Sequence, residues 1–220
     1  EAGTAITTGD ENVFVGFQSG DALVDGTFNV AIGSNSLTTD TKGKKSVAVG
    51  TNALATQNFT SLTDTFNTAV GHSAGTAMTT GIKNTIVGAL AGDALTDADF
   101  NVALGYNTLS SDTLGSQTVA IGSGALYTQN FTSATASNNT AVGHDAGNKV
   151  TTGVANTFIG ALAGDGTDDG AYNAAVGYGA LSANCGNDNT AMGVSALAVN
   201  TAASNTAFGR AALAANTTGQ

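Results

Sequence analysis

One five-residue pattern recurs along the whole chain and constrains its fold more than any other feature. The pattern is Asn, then Val or Thr, then usually Ala, then a large apolar residue and a closing Gly, as in 29–33, 67–71 and 139–143. A unit as short as the interval between two copies cannot bury a core of its own, so the repeat predicts a solenoid whose stacked units share one core. The twelve closing glycines are Gly16, Gly33, Gly50, Gly71, Gly88, Gly105, Gly122, Gly143, Gly160, Gly177, Gly193 and Gly209.

A longer period lies above the short one. Most closing glycines are 17 positions apart and the last two intervals are 16, but the intervals that end at Gly71 and Gly143 are 21. We call these two the long units. Each contains a copy of Thr-Gln-Asn-Phe-Thr-Ser, at 56–61 and 128–133, so a block of four units is duplicated at an offset of 72 in the numbering. We predict that the loops around Phe59 and Phe131 project outward, because they interrupt an otherwise regular period.

The composition of each position in the pattern predicts a short strand. The residue before the closing glycine is large and apolar in all twelve copies, and the residue two positions earlier is Val or Thr in eleven. The residue between them is Ala in nine copies. This alternation predicts a strand with one β-branched face and one methyl face that another backbone surface can approach closely. The glycine that follows is predicted to form a corner with positive φ or close backbone packing, before a short apolar segment and a polar loop.

Asparagine opens the pattern in ten of the twelve copies, and Ser46 and Thr118 replace it in the other two. In a stack of units these side chains would lie above one another. We therefore predict a ladder of amide groups that hydrogen-bond to one another along the axis. The asparagines are Asn12, Asn29, Asn67, Asn84, Asn101, Asn139, Asn156, Asn173, Asn189 and Asn205.

Together these patterns predict an all-β fold, a parallel β-solenoid of about twelve coils, each 16 to 21 positions long. We expect a single domain over 1–220. With a strand spacing of roughly 4.8 Å, the coils would form a rod about 55–60 Å long. The chain begins and ends within a unit, so we expect it to be a segment of a longer fibre chain.

Charge and composition argue against several classes of function. The formal net charge is −10 and there are only six Lys and Arg residues, so the phosphate-neutralising footprint of a nucleic-acid-binding protein is not expected. No apolar run approaches the roughly 18 residues of a membrane span. The single cysteine, Cys185, allows no intrachain disulfide. No nucleophile–base or paired-carboxylate constellation stands out, so we expect neither an enzyme nor a cofactor.

Two candidates for metal binding remain. His72 and His144 occupy the same position of the pattern in successive blocks, and in a trimer each would form a ring of three imidazoles. The alternative is a polar corner residue, since other copies place Tyr or Arg there. The loop that contains Asp165, Asp168 and Asp169 could hold Ca²⁺, although its spacing matches no known calcium loop and a solvated loop is the simpler interpretation.

The repeat resembles two groups of fibrous proteins. Ser46-Val47-Ala48-Val49-Gly50 and the copy at 118–122 are similar to the head repeats of YadA-like trimeric autotransporter adhesins. The Asn-Thr-Ala-Val-Gly form at 67–71 and 139–143 is closer to repeat arrays in bacteriophage tail fibres. The resemblance implies a left-handed β-roll with three chains side by side. An independent reason to expect a homotrimer is that apolar stripes left exposed on single coils usually mark interfaces.

The function expected from these features is structural. The leading hypothesis is a fibre of a phage virion, such as a tail fibre, that serves as a rigid spacer or host-attachment element. The alternative is a bacterial surface adhesin or extracellular filament subunit, located at the cell surface. An ice-binding solenoid is a further alternative, because Thr recurs in one position of the strand. The expected partners are other copies of the chain and a cell-surface receptor or glycan.

Overall fold

The computed structural model describes residues 1–218, which form an all-β parallel solenoid of about twelve coils. Each five-residue pattern contributes one short strand to a twelve-stranded sheet, and the described residues contain no helix. The strands of this sheet are β1 Val13–Val15, β2 Val30–Ile32, β4 Val47–Val49, β6 Thr68–Val70, β7 Thr85–Val87, β8 Val102–Leu104, β10 Val119–Ile121, β12 Thr140–Val142, β13 Thr157–Ile159, β14 Ala174–Val176, β15 Thr190–Met192 and β16 Thr206–Phe208. The predicted all-β parallel solenoid of about twelve coils is confirmed. We number the coils 1 to 12 by their closing glycines.

Two further sheets, each of two strands, occur only beside the coils that correspond to the long units. Strand β3 (Gly43–Lys44) pairs with β5 (Thr63–Asp64), and β9 (Gly115–Ser116) pairs with β11 (Thr135–Ala136). All pairs in the three sheets are parallel, and the large sheet keeps one register throughout, with each pattern position aligned with its equivalent in the next coil. The four extra residues of a long unit therefore form a local loop and do not shift the stack.

The two faces of the strand have the predicted compositions. The central residue points into the coil, and the alanines at this position are almost fully buried, as at Ala31 and Ala120. The first and third residues point away from the core, as at Val30 and Ile32. We call these outward side chains of the twelve strands the outer strand face.

Large and small residues alternate inside the solenoid so that the core volume stays filled. The fourth residue after the closing glycine faces the strand, and it is either Leu or Gly. Where the strand carries Phe158 in place of Ala, the facing residues are Gly147 and Gly164, and a methyl group added to Gly164 would lie 2.5 Å from the Phe158 ring. Coil 10 shows the opposite choice, with Ala175 in the strand and Leu181 opposite. Coils 9 and 10 thus fill the core by opposite exchanges of volume, whereas in coils 4 and 8 both positions are small and side chains of the adjacent coils fill the space.

The closing glycines meet both expectations for a corner. All twelve have φ between 119° and 142°, a conformation that L side chains rarely adopt. In coils 1 to 11 an added methyl group would also lie within 2.8 Å of backbone atoms of the closing glycine in the next coil. Glycine is required here both by the backbone conformation and by the separation of adjacent coils.

The asparagines stack as expected, but the predicted amide ladder is only partly formed. In the last coils two amides donate to the Oδ1 atom of the preceding asparagine, at 3.1 Å and 3.2 Å, whereas most of the stronger bonds go to the backbone. The Oδ1 atom of Asn84 accepts the backbone N–H of Asn101 in the next coil at 2.9 Å. Its Nδ2 atom donates to the carbonyl oxygen of Ala98 at 2.7 Å, whereas its direct contact with Asn67 Oδ1 is longer, at 3.3 Å. The same pattern of backbone partners recurs at Asn29 and along much of the stack. The amide therefore connects successive backbones, which satisfies buried peptide groups that lie outside the strands.

Candidate functional surfaces

The outer strand face is the most extensive regular surface of the molecule. It runs along all twelve coils and consists mainly of Val, Ile, Leu and Thr, with Met192 and Phe208 toward the end of the chain. Many of these side chains are half-buried, because the side chains of adjacent parallel strands pack against each other. Val87 and Ile159 nevertheless remain 37% and 41% exposed. A continuous apolar surface of this kind is uncommon on proteins that remain monomeric.

The prediction that the insertion loops project outward is only partly correct. The loop tips at 60–62 and 132–134 are exposed, but Phe59 and Phe131 are buried. Each phenylalanine lies next to a buried aspartate and donates its backbone N–H to that carboxylate, at 3.1 Å from Phe59 to Asp40 and 3.0 Å from Phe131 to Asp112. The extra residues thus close over a polar part of the core.

This polar part is a hydrogen-bonded network with a defined direction. Asn67 Nδ2 donates to Gln57 Oε1 at 2.9 Å, and Gln57 Nε2 donates to Asp40 Oδ2 at 2.6 Å. Asn67 cannot be reversed, because its Nδ2 also donates to the Gly81 carbonyl and its Oδ1 accepts the Asn84 N–H. The last member, Asp40, must therefore act as an acceptor. The same arrangement recurs in coils 6 to 8, with Asp112, Gln129 and Asn139.

The pKa values of both buried carboxyl groups differ from that of an exposed aspartate. Burial raises the pKa of Asp40 and of Asp112, and the hydrogen bonds from the glutamine side chains and from backbone N–H groups oppose this effect only in part. Neither carboxylate forms an ion pair among residues 1–218. The free-energy cost of a buried charge is therefore met by hydrogen bonds alone.

We expect these two groups to make the solenoid less stable as the pH rises. A pKa that is raised in the folded state means that the folded chain binds the proton more tightly than the unfolded chain. This contribution to stability is complete below the unfolded pKa of about 3.9 and is lost as the pH rises through the folded pKa. The measurement is urea unfolding from about pH 3 to pH 7 for the wild type and for D40N/D112N. The free energy of the wild type should fall relative to the variant over this range, and parallel curves would contradict the assignment.

The candidate metal ligands do not converge within the described residues. His72 and His144 are exposed at the corner after the strand, and His144 Nδ1 lies 3.2 Å from Asp145 Oδ2. Asp168 accepts a hydrogen bond from Thr151, and Asp169 is exposed. In residues 1–218 no group of three or more His, Cys, Asp or Glu side chains is arranged to hold a metal. The three-histidine ring requires neighbouring chains and stays a prediction.

Comparison with known proteins gives no relative for this chain. No family model, curated protein or solved structure matches it. The described part of the chain also contains no helix long and apolar enough to cross a membrane. Functional inference therefore depends on the surfaces of the solenoid itself.

One further surface, formed by the residue that precedes each asparagine position, was missed from the sequence. This residue has φ between 51° and 63° in every coil, which turns the chain at the edge of the sheet. In coils 2 to 6 the position alternates between phenylalanine and lysine, and we call this set the aromatic–lysine ladder. The signal was present in the sequence as an alternation between adjacent repeats. The ladder consists of Phe28, Lys45, Phe66, Lys83 and Phe100.

Proposed function

We propose that the chain forms a rigid rod within a homotrimeric fibre of a phage virion, where it serves as a spacer or host-attachment element. The observation that carries the proposal is the outer strand face, which places a large apolar side chain outward at the third strand position of every coil. A three-fold arrangement of parallel rods would bring three such faces together along their whole length. Burying this surface would stabilise the assembly, because apolar area removed from water contributes roughly 25 cal/mol per Å².

The regularity of the coils supports a mechanical role. Adjacent coils are joined by strand pairing, by asparagine side chains that bond to the next backbone, and by glycine corners in close contact. These connections recur along the axis, so bending would strain many of them together. In the arrangement that the resemblance implies, the roll is left-handed. A bacterial surface adhesin or extracellular filament subunit would use the same rod.

The test measures the absolute mass of the protein in solution by light scattering. We expect three chains for the wild type and a monomer for V87E/I159E, since charges on the outer strand face would have to be buried in the trimer. The control is L62E/V199E, which changes two apolar residues that are at least as exposed but lie outside the strands. Circular dichroism should be the same for all three proteins.

Other masses have clear consequences. A monomeric wild type would contradict the trimer and would favour ice binding, because Thr85 and Thr157 face outward on the same sheet. An open-ended polymer would favour the extracellular filament. A trimer in which V87E/I159E assembles as well as the control would show that another face forms the interface.

A further inference from the structure

We propose that the aromatic–lysine ladder binds an extended acidic polysaccharide with one carboxylate per disaccharide. The inference rests on the proposed attachment role of the fibre and names the class of ligand for it. The ladder lies at the edge of the sheet and does not belong to the outer strand face. Three features support the assignment: the spacing of the rings, the placement of the cations and the rigidity of the backbone beneath them.

The rings form a regular row of partly exposed aromatic surfaces. Phe28, Phe66 and Phe100 are 52%, 49% and 48% exposed. They belong to coils 2, 4 and 6, so successive rings are two coils apart, or about 9.6 Å along the axis. This distance is close to the length of one disaccharide in an extended chain. The C–H face of a pyranose ring contacts an aromatic ring favourably, because the π face carries partial negative charge.

The lysines occupy the coils between the rings and have the same two-coil period. Lys45 Nζ lies 5.0 Å from the centre of the Phe66 ring, and Lys83 Nζ lies 4.8 Å from the centre of the Phe100 ring. Such cation–π contacts hold each ammonium group over one face of the Phe66 or Phe100 ring, so a sugar would contact the remaining exposed part of that ring. A polymer that places one sugar on each phenylalanine would bring its acidic groups to the lysines at the same period.

Most of the basic residues of this acidic chain lie close to the ladder, although the stretch from Phe28 to Phe100 also contains five aspartates. Four of the six Lys and Arg residues lie in coils 2 to 5. Asp64 is shared between Lys44 and Lys45, at 3.1 Å and 2.7 Å, so this cluster keeps one net positive charge. Lys83 is in no ion pair within residues 1–218. A carboxylate of the ligand could therefore bind Lys83 without displacing an acidic side chain of the protein.

The backbone under the ladder is fixed before any ligand arrives. The N–H of Lys45 donates to Thr27 O at 3.1 Å, and the N–H of Phe100 donates to Ile82 O at 3.1 Å. Because each ladder residue also has a constrained positive φ, its Cβ direction is set by the solenoid. Pre-organisation of this kind reduces the entropy that binding costs, which favours recognition of a stiff polymer.

The test is calorimetric titration with a hyaluronan hexasaccharide, an extended acidic probe that is long enough to contact all three rings. We expect F66A and K83Q each to weaken binding at least fivefold. The matched control is Y172A, which removes a 61% exposed aromatic ring from the same position in coil 10, where no lysine is adjacent. Binding by Y172A should equal that of the wild type.

Further probes separate sugar recognition from charge attraction. Chitohexaose is neutral and has a similar pitch, so it should bind at least tenfold more weakly than hyaluronan; equal binding would overturn the role of the lysines. Poly-glutamate carries charge without sugar rings, and binding as tight as that of hyaluronan would overturn the role of the phenylalanines. A wild type that binds no hyaluronan, or variants that all bind equally, would overturn the proposal as a whole.

The same samples distinguish this inference from the proposed fibre. Light scattering on each protein gives the number of chains. A trimer that fails to bind hyaluronan overturns the polysaccharide site alone, whereas a monomer that binds it supports the site and contradicts the trimer. F66A should leave the mass unchanged, because Phe66 lies outside the outer strand face.

Discussion

Replacing Gly88 by alanine should cost about 4 kcal/mol or more of unfolding free energy, which is an exceptional loss for one methyl group. Gly88 has φ of 135°, and an added Cβ would lie 2.3 Å from the carbonyl oxygen of Gly105. Neither strain can relax locally, because the next coil is held by its own strand and glycine corner. The corner can accept the methyl group only if two coils move apart, which would also break the strand pairing on either side.

The measurement is the urea midpoint, followed by circular dichroism at one protein concentration. The control is G179A, because Gly179 also has a positive φ, of 60°, but the nearest atom to an added methyl group is 3.9 Å away. This substitution should cost only about 1–2 kcal/mol, the ordinary penalty of a left-handed conformation for an L residue. If the two variants lost equal stability, the close approach of coils at the glycine corner would not limit the fold.

The second large effect concerns the packing of the central strand residue against the residue on the opposite side of the coil. In coils 9 and 10 a large residue at one of these positions is matched by a small one at the other. F158A should destabilise the protein by about 3–5 kcal/mol, because it leaves a cavity between Gly147 and Gly164. G164L should also be destabilising, since its side chain would enter the space of the Phe158 ring. The double variant F158A/G164L recreates the pairing of Ala175 with Leu181 in coil 10. It should therefore lose about 1–3 kcal/mol less than the sum of the single variants.

A distant substitution provides the control for this cycle. Gly20 faces Phe14 in coil 1, where an added Cβ would lie 2.6 Å from the ring. G20L should be destabilising for the same reason as G164L, but F158A is too far away to relieve it. The effects of F158A and G20L should therefore add. Additivity in both pairs would mean that the two sides of the coil do not share one packed volume.

The coils were predictable from the sequence because their determinants are periodic. The closing glycines, the alternation around Ala31 or Ala120, and the single register of the sheet all follow from patterns repeated twelve times. Stacking strengthens such patterns, because the residue at each position contacts the equivalent residue of the next coil. The alternation predicted a methyl face and a β-branched face, but the structure was needed to show that alanine points inward and valine outward.

Features that occur only around the long units do not follow the short repeat, and they were not predictable in the same way. Asp40 and Gln57 lie in a segment that resembles a polar loop. Both side chains are nevertheless fully buried, in the same two coils whose cores contain Leu37 and Leu54. Phe59 was expected in a projecting loop because the insertion has no equivalent in most other coils. Its backbone N–H donates to the carboxylate of Asp40, a contact distant in sequence that the short repeat does not encode.

The asparagine stack shows a different limit. The residue type was correctly associated with stacking, but an amide has both a donor and an acceptor that can be used in several ways. The structure directs most of these groups to the backbone, where peptide N–H and carbonyl groups beyond the short strands need partners. Side-chain ladders are favoured where the backbone is already fully paired, and here it is not.

The four-coil period of the core has a consequence for how the length of this protein can change. Ile86 and Phe158 stand at the same place in successive blocks, each between two glycines, and the buried aspartates recur with them. Insertion or deletion of one whole block would join coils whose packed surfaces already match. Loss of a single coil would place unmatched side chains against each other, which would leave cavities or cause steric clashes. Recombination between the similar blocks can therefore lengthen or shorten the rod in steps of about 19 Å, and every product inherits a continuous core.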